Sequence, residues 1–135
     1  MLKLIIGVKG TGKTKQLIEL VNDALHKTNG AVVCVEKGNK LTYDINYRAR
    51  LIDTDAYFVS DFDSLYGFLA GILASNHDLT DLFVDSALKI GGNDRAEFDA
   101  FLVRLNTLVE KLGVNCVMTS SLPVEEASDT VKLYL

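Results

Sequence analysis

Residues 7 to 14 of this chain read GVKGTGKT. Gly7, Gly12, Lys13 and Thr14 occupy the fixed positions of the phosphate-binding pattern G-x-x-x-x-G-K-[ST]. Glycines let the backbone curl until successive N–H groups point inward, a concavity suited to phosphate oxygens. A helix starting there adds the positive end of its dipole. The flanks match: the apolar run LKLII before the loop is short enough for a buried strand. After it, Leu17, Leu20, Val21, Ala24 and Leu25 fall at helical spacing. The expected nucleotide-binding set is therefore Gly7, Val8, Lys9, Gly10, Thr11, Gly12, Lys13, Thr14 and Lys15. In it, Lys13 would reach the terminal phosphates and the Thr14 hydroxyl would ligate Mg²⁺.

Length and composition narrow the setting. The 135 residues correspond to one domain, 1–135, and with 48% hydrophobic and 24% charged residues the chain can bury a core rather than remain disordered. A formal net charge of −4 argues against a stand-alone binder of nucleic-acid backbones, although a local basic patch remains compatible with it. Cys34 and Cys116 each sit in an apolar run, the setting of buried thiols in a reducing compartment, and no Cys/His spacing suggests zinc. The first strand starts at the first residues, and the longest apolar stretch, Leu65 to Ala74, is too short to span a bilayer. The expectation is a cytoplasmic protein with no membrane partner.

Strands and helices alternate along the chain. Ala31–Glu36, Ala56–Ser60, Leu82–Asp85 and Asn115–Thr119 read as strands two to five. Helices are expected between Lys13 and Gly30, after a capping box of Ser60 and Asp63, and from Asn93 or Asp94 to Gly113. Leu41 to Ile52 is compatible with an extended or hairpin path, from its alternating apolar residues, or with a short helix. Thr130 to Leu135 reads as an edge strand or a partner-binding tail, with packing of Val131, Leu133, Tyr134 and Leu135 on the core favoured over either special role. The alternation predicts an α/β fold of three layers, a mainly parallel sheet between helices. Ligands in such sheets sit beyond the carboxyl ends of the strands. Glu36, Ser60, Asp85 and Thr119 to Ser121 should converge there with the glycine loop.

Asp85, closing an apolar strand, is the candidate second metal residue beside Thr14. Oxygen ligands without His suit magnesium. Hydrolysis also needs a residue that orients water for in-line attack. The neighbour of Asp85 is Ser86, so Glu36 is the candidate, with Lys13 as the catalytic cation. Thr119, Ser120 and Ser121 are candidate phosphate sensors, against an ordinary strand-end role. Arg48, Arg50, Arg95 and Arg104 read as surface residues before charge stabilisers, and His26 and His77 receive no role.

The succession GVKGTGKT, VVCVE, YFVSD and LFVDSAL resembles the RecA-like branch of P-loop ATPases over about residues 1 to 121. The resemblance implies a catalytic role for Glu36 at the end of the second strand. It implies a metal-binding Asp85–Ser86 pair and a sheet order of 5-1-4-3-2 with the Asp85 strand beside the Gly7 strand. The chain also resembles small stand-alone bacterial P-loop proteins described only as ATP-binding. It departs from the RecA pattern in lacking DNA-contacting loops, an added domain and a basic stripe. The implied cofactors are ATP and Mg²⁺. The leading function is a slow ATPase acting as a switch or as a subunit of an assembly, by self-association or with a protein partner. The alternatives are a nucleotide-binding interaction module without turnover and, third, a small-molecule kinase, for which no lid insertion is visible.

Overall fold

The computed structural model describes residues 1–135. Five strands form one sheet: β1 (Leu2–Ile6), β2 (Ala31–Glu36), β3 (Arg50–Asp53), β4 (Leu79–Val84) and β5 (Asn115–Ser120). All pairings are parallel, in the order β1-β5-β4-β2-β3. Helices α1 (Lys13–Lys27), α2 (Phe62–Ser75), α3 (Ala87–Gly91), α4 (Arg95–Leu112) and α5 (Asp129–Lys132) make the connections and the C-terminal segment. No helix is long and apolar enough to cross a membrane.

The sheet is covered on both faces, and strand periodicity sorts the side chains between them. Val33, Val35, Leu82, Val84, Cys116 and Met118 join the larger core with α2 and α4. Their neighbours Val32, Cys34 and Phe83 join a second core under α1, with Leu17, Val21 and Leu25. Unbroken apolar runs such as AVVCV thus serve two cores at once. Phe62, Phe98 and Phe101 meet in the larger one with ring centroids 5.1–5.5 Å apart.

The helix ends follow their capping chemistry. Asp94 caps α4 by accepting from Glu97 N–H, and Gly113 (φ 69°) ends it in the left-handed conformation. At α2 the capping box uses Asp61 and Ser64, one residue later than the expected Ser60 and Asp63. The Asp61 carboxylate reaches the third helical N–H from this frame.

Three further expectations are corrected. The sheet order is not 5-1-4-3-2, and the strand leading to Asp85 is not beside β1: β5 lies between them. Cys116 and Met118 are almost completely buried, which suits β5 to an interior position, whereas the short RLID strand β3 suits an edge. Ala56–Ser60 is not a strand. Asp53 accepts from Asp55 N–H and turns the chain into a 3-10 helix, Thr54–Tyr57, leaving Phe58 91% exposed at φ 60°. Thr130 to Leu135 is not an edge strand either. Its first residues lie in α5, capped by Ser128, and the stretch after the helix lends β1 a single bond, Leu4 N–H to Tyr134 O at 2.7 Å.

The open region 41–52 resolves into a series of turns leading to β3. Leu41, Ile45 and Ala49 are buried in the α1 core while Tyr43 and Tyr47 are more than nine-tenths exposed. The working period is therefore four residues, not two. The apparent alternation mixed core anchors with solvent-facing tyrosines.

Candidate functional site

The carboxyl ends of β1, β2, β4 and β5 share one rim, because all the strands are parallel. The registers Ile6↔Ser120, Val84↔Met118 and Val35↔Val84 bring the glycine loop, Glu36, Asp85 and Thr119 to it. A cavity of about 870 Å³ opens there.

The glycine loop forms the entrance to α1. Gly12 caps the helix at φ 84°, a left-handed conformation that favours glycine. No side chain caps this helix and no acid stands in its first turn, whereas Asp61 and Asp94 cap α2 and α4. Its first N–H groups and dipole therefore face the rim without an acidic side chain to meet them. At the other end of the loop, a Cβ on Gly7 would lie 2.8 Å from Thr11 Oγ1, so the close turn needs glycine. Thr11 Oγ1 donates to Val8 O at 2.8 Å and Lys13 Nζ donates to the same carbonyl at 2.9 Å. The Lys13 ammonium is thereby folded over the loop, at the cavity wall.

Thr14, in the first turn of α1, meets Asp85. Its hydroxyl lies 3.2 Å from Oδ1 and 3.4 Å from Oδ2. Thr119 Oγ1 donates to Asp85 Oδ1 at 2.7 Å and accepts from Ser86 N–H at 2.8 Å. Ser86 itself takes a left-handed conformation, φ 60°, that turns the chain from β4 into α3. Asp85 is 8% exposed and is held from two sides by hydroxyls.

Glu36 is buried as well. Its two carboxylate oxygens accept from Lys40 N–H and Leu41 N–H, each at 3.1 Å. Burial raises its pKa above the ordinary carboxylate value. The two N–H bonds oppose the rise, and the charges of Asp85 and Asp53 add to it. Glu36 lines the same cavity as Thr14 and Asp85.

The remaining candidates separate clearly. Thr119 spends its hydroxyl on Asp85 and Ser86, so it holds a carboxylate rather than facing the cavity. Ser120 is buried with its Oγ unpartnered, and Ser121 lines the cavity. Arg95 pairs with Glu126, and Arg104 pairs with Asp63 and lies 4.0 Å over the Tyr66 ring. None of the four arginines, and neither histidine, lines the cavity.

What sequence reasoning missed is the density of positive charge. Six lysines line the cavity, Lys9, Lys13, Lys15, Lys37, Lys40 and Lys89, against two carboxylates. The chain as a whole has 14 basic and 18 acidic residues, so the cavity inverts the sign of the molecule. Lys37 and Lys40 were legible as neighbours of Glu36. Lys89 was not, because nothing in the sequence signals the short helix α3 that carries it.

The residues present fit a magnesium–phosphate group in donor chemistry. Thr14 and Asp85 offer hard oxygen donors, the kind magnesium takes one or two at a time while keeping water and phosphate oxygens. No group of three or more His, Cys, Asp or Glu is placed to enclose a metal, so a closed protein cage of that type is not available.

No family model matches the sequence, and no curated protein does. Among solved structures the chain is similar to a KaiC-like protein, PH0186, from the hyperthermophilic archaeon Pyrococcus horikoshii OT3. The TM-score is 0.70 at 17% identity, over 98% of this chain and 66% of that one. The chain thus spans slightly less than two thirds of that structure's length. At this identity the likeness shows the fold alone, a parallel α/β sheet covered by helices.

Proposed function

We propose that the chain is a single nucleotide-binding domain that takes Mg-ATP at the glycine loop and hydrolyses it slowly, as a switch or as a subunit of an assembly. The observation that carries this reading is the meeting of Thr14 and Asp85 at 3.2 Å beside a helix entrance without a side-chain cap. The residues Gly7 to Lys15 would cradle the phosphates through backbone N–H groups, with Lys13 leaving Val8 O to donate to phosphate oxygens. Thr14 and Asp85 would hold the magnesium, Thr119 orienting the Asp85 carboxylate. Magnesium, when bound, neutralises charge developing on the transferred phosphoryl group. Glu36 would orient the attacking water from the end of β2, its raised pKa favouring proton uptake.

A second reading, a nucleotide-binding interaction module without turnover, draws on two observations. Ser86, not an acid, follows Asp85, and both Glu36 oxygens already accept backbone N–H groups. On this reading Glu36 braces the segment after β2 and does no chemistry.

Calorimetry with ATP, GTP and ADP, each with and without Mg²⁺, tests the site, and phosphate release from wild type and Glu36→Gln then separates the readings. Saturable Mg-dependent ATP binding with turnover lost in E36Q is expected. Binding with no turnover in wild type would favour the module, and no binding at millimolar nucleotide would reject both.

A further inference from the structure

Two of the cavity lysines have no evident task in a triphosphate site. Lys13 and Thr14 belong to the loop and α1, whereas Lys40 follows β2 and Lys89 is carried by α3. Four of the five α3 residues, Ala87, Leu88, Ile90 and Gly91, are buried, and Lys89 alone is exposed. The helix is thus a small buried platform whose one outward side chain enters the cavity. Lys40 is held as firmly by its backbone, with its own N–H bound to Glu36 and the next residue, Leu41, buried.

Neither lysine has an acidic partner. The three ion pairs of the molecule are Lys37–Asp55, Arg95–Glu126 and Arg104–Asp63. Asp55 meets the charge of Lys37 at 2.6 Å, and Glu36 and Asp85 are taken up by backbone N–H groups and hydroxyls. Both exposed side chains line the same cavity. Interaction with Lys40 pulls the Lys89 pKa below its ordinary value, with smaller effects from desolvation and from Lys9 and Lys37. Two like charges brought together without a counter-charge favour an anion between them.

We propose that Lys40 and Lys89 form a second anion subsite of the cavity, which takes a phosphate group of another ligand bound beside the nucleotide. The inference rests on the nucleotide reading for the first ligand. A phosphate dianion matches two ammonium groups in charge, and lysine binds phosphate as a point charge without the planar geometry that pairs Arg with carboxylates.

The test uses inorganic phosphate as the probe, titrated by calorimetry into protein saturated with Mg²⁺ and a non-hydrolysable ATP analogue. The analogue fills the positions of the nucleotide's own phosphates. Saturable phosphate binding is expected, weakened by about tenfold or more in the K40A/K89A double variant, as for loss of charged hydrogen bonds. Nucleotide affinity should stay within about twofold, as for independent sites. Absence of saturable phosphate binding to the loaded wild type would overturn the proposal. So would equal losses for phosphate and nucleotide, which would assign both lysines to the triphosphate. If wild type binds no nucleotide, the first reading fails separately. Phosphate on nucleotide-free protein then decides: K40A/K89A must weaken it more than K13A, and the reverse order would overturn the subsite. Both substitutions remove exposed side chains and leave the Lys40 N–H in place, and unchanged melting temperature is the control for folding.

Discussion

The Thr14 hydroxyl and the Asp85 carboxylate, 71 residues apart in the chain, meet at 3.2 Å across the mouth of the sheet. They meet although their strands are not neighbours, because α1 leans over β5 and Thr119 of β5 holds the same carboxylate at 2.7 Å. On the proposed reading this pair would hold a magnesium ion.

Asp85→Asn keeps an acceptor for Thr119 and removes the negative charge. Mg-ATP affinity should fall by about tenfold, the scale seen when metal-holding groups are altered, with a much smaller change without Mg²⁺. Calorimetry in both conditions checks this; equal losses would remove Asp85 from the metal.

Lys13→Ala removes the ammonium that now rests on Val8 O. ATP binding should weaken by about tenfold or more, as for loss of a charge-assisted bond. An unchanged dissociation constant would argue that the loop does not hold phosphates.

Glu36 supplies a pH dependence. Its folded pKa is raised, so its contribution to stability is full below the unfolded value of about 4.3 and is lost as pH rises through the folded one. Against E36Q, which does not titrate, wild type should lose relative stability as pH rises from about 4 through the folded value, read from melting temperatures of the two proteins across that range. The opposite slope would mean that the Lys40 and Leu41 N–H bonds outweigh burial.

The thiols should be inert. Burial pushes Cys116 up to about 12, and burial followed by the charges of Asp85 and Glu36 pushes Cys34 still higher. Alkylation at about pH 8 should therefore require denaturant, since the thiolate is the reactive form. Rapid labelling of native protein would show that the cores open.

Gly91 is where α3 docks: a Cβ there would overlap the Phe62 ring. Gly91→Ala should destabilise by about 1–3 kcal/mol, as for overpacking of a core. Melting would report the loss, and the displacement of Lys89 would be read as weaker phosphate binding. Full stability would mean that Phe62 has room to move.

Local chemistry was legible from the sequence wherever it depends on near neighbours. The glycine loop opening a helix at Lys13, the Asp94 cap, the Gly113 stop and the burial of AVVCV follow from conformational preference, capping and periodicity within a few residues. The convergence of Glu36, Asp85 and Thr119 on one rim also followed, because a parallel sheet aligns strand ends whatever the order of the strands. That order itself did not follow. The slot of β5 between β1 and β4 is set by crossovers and by competition for the most buried position, which no single segment carries. The same holds for Thr119, whose apparent freedom as a strand-end hydroxyl vanishes once Asp85 lies beside it. It holds for Lys40 and Lys89, drawn together by two backbones anchored in different cores. A sequence states which groups a chain possesses and how each segment bends; only packing at close range decides which charges must share a cavity.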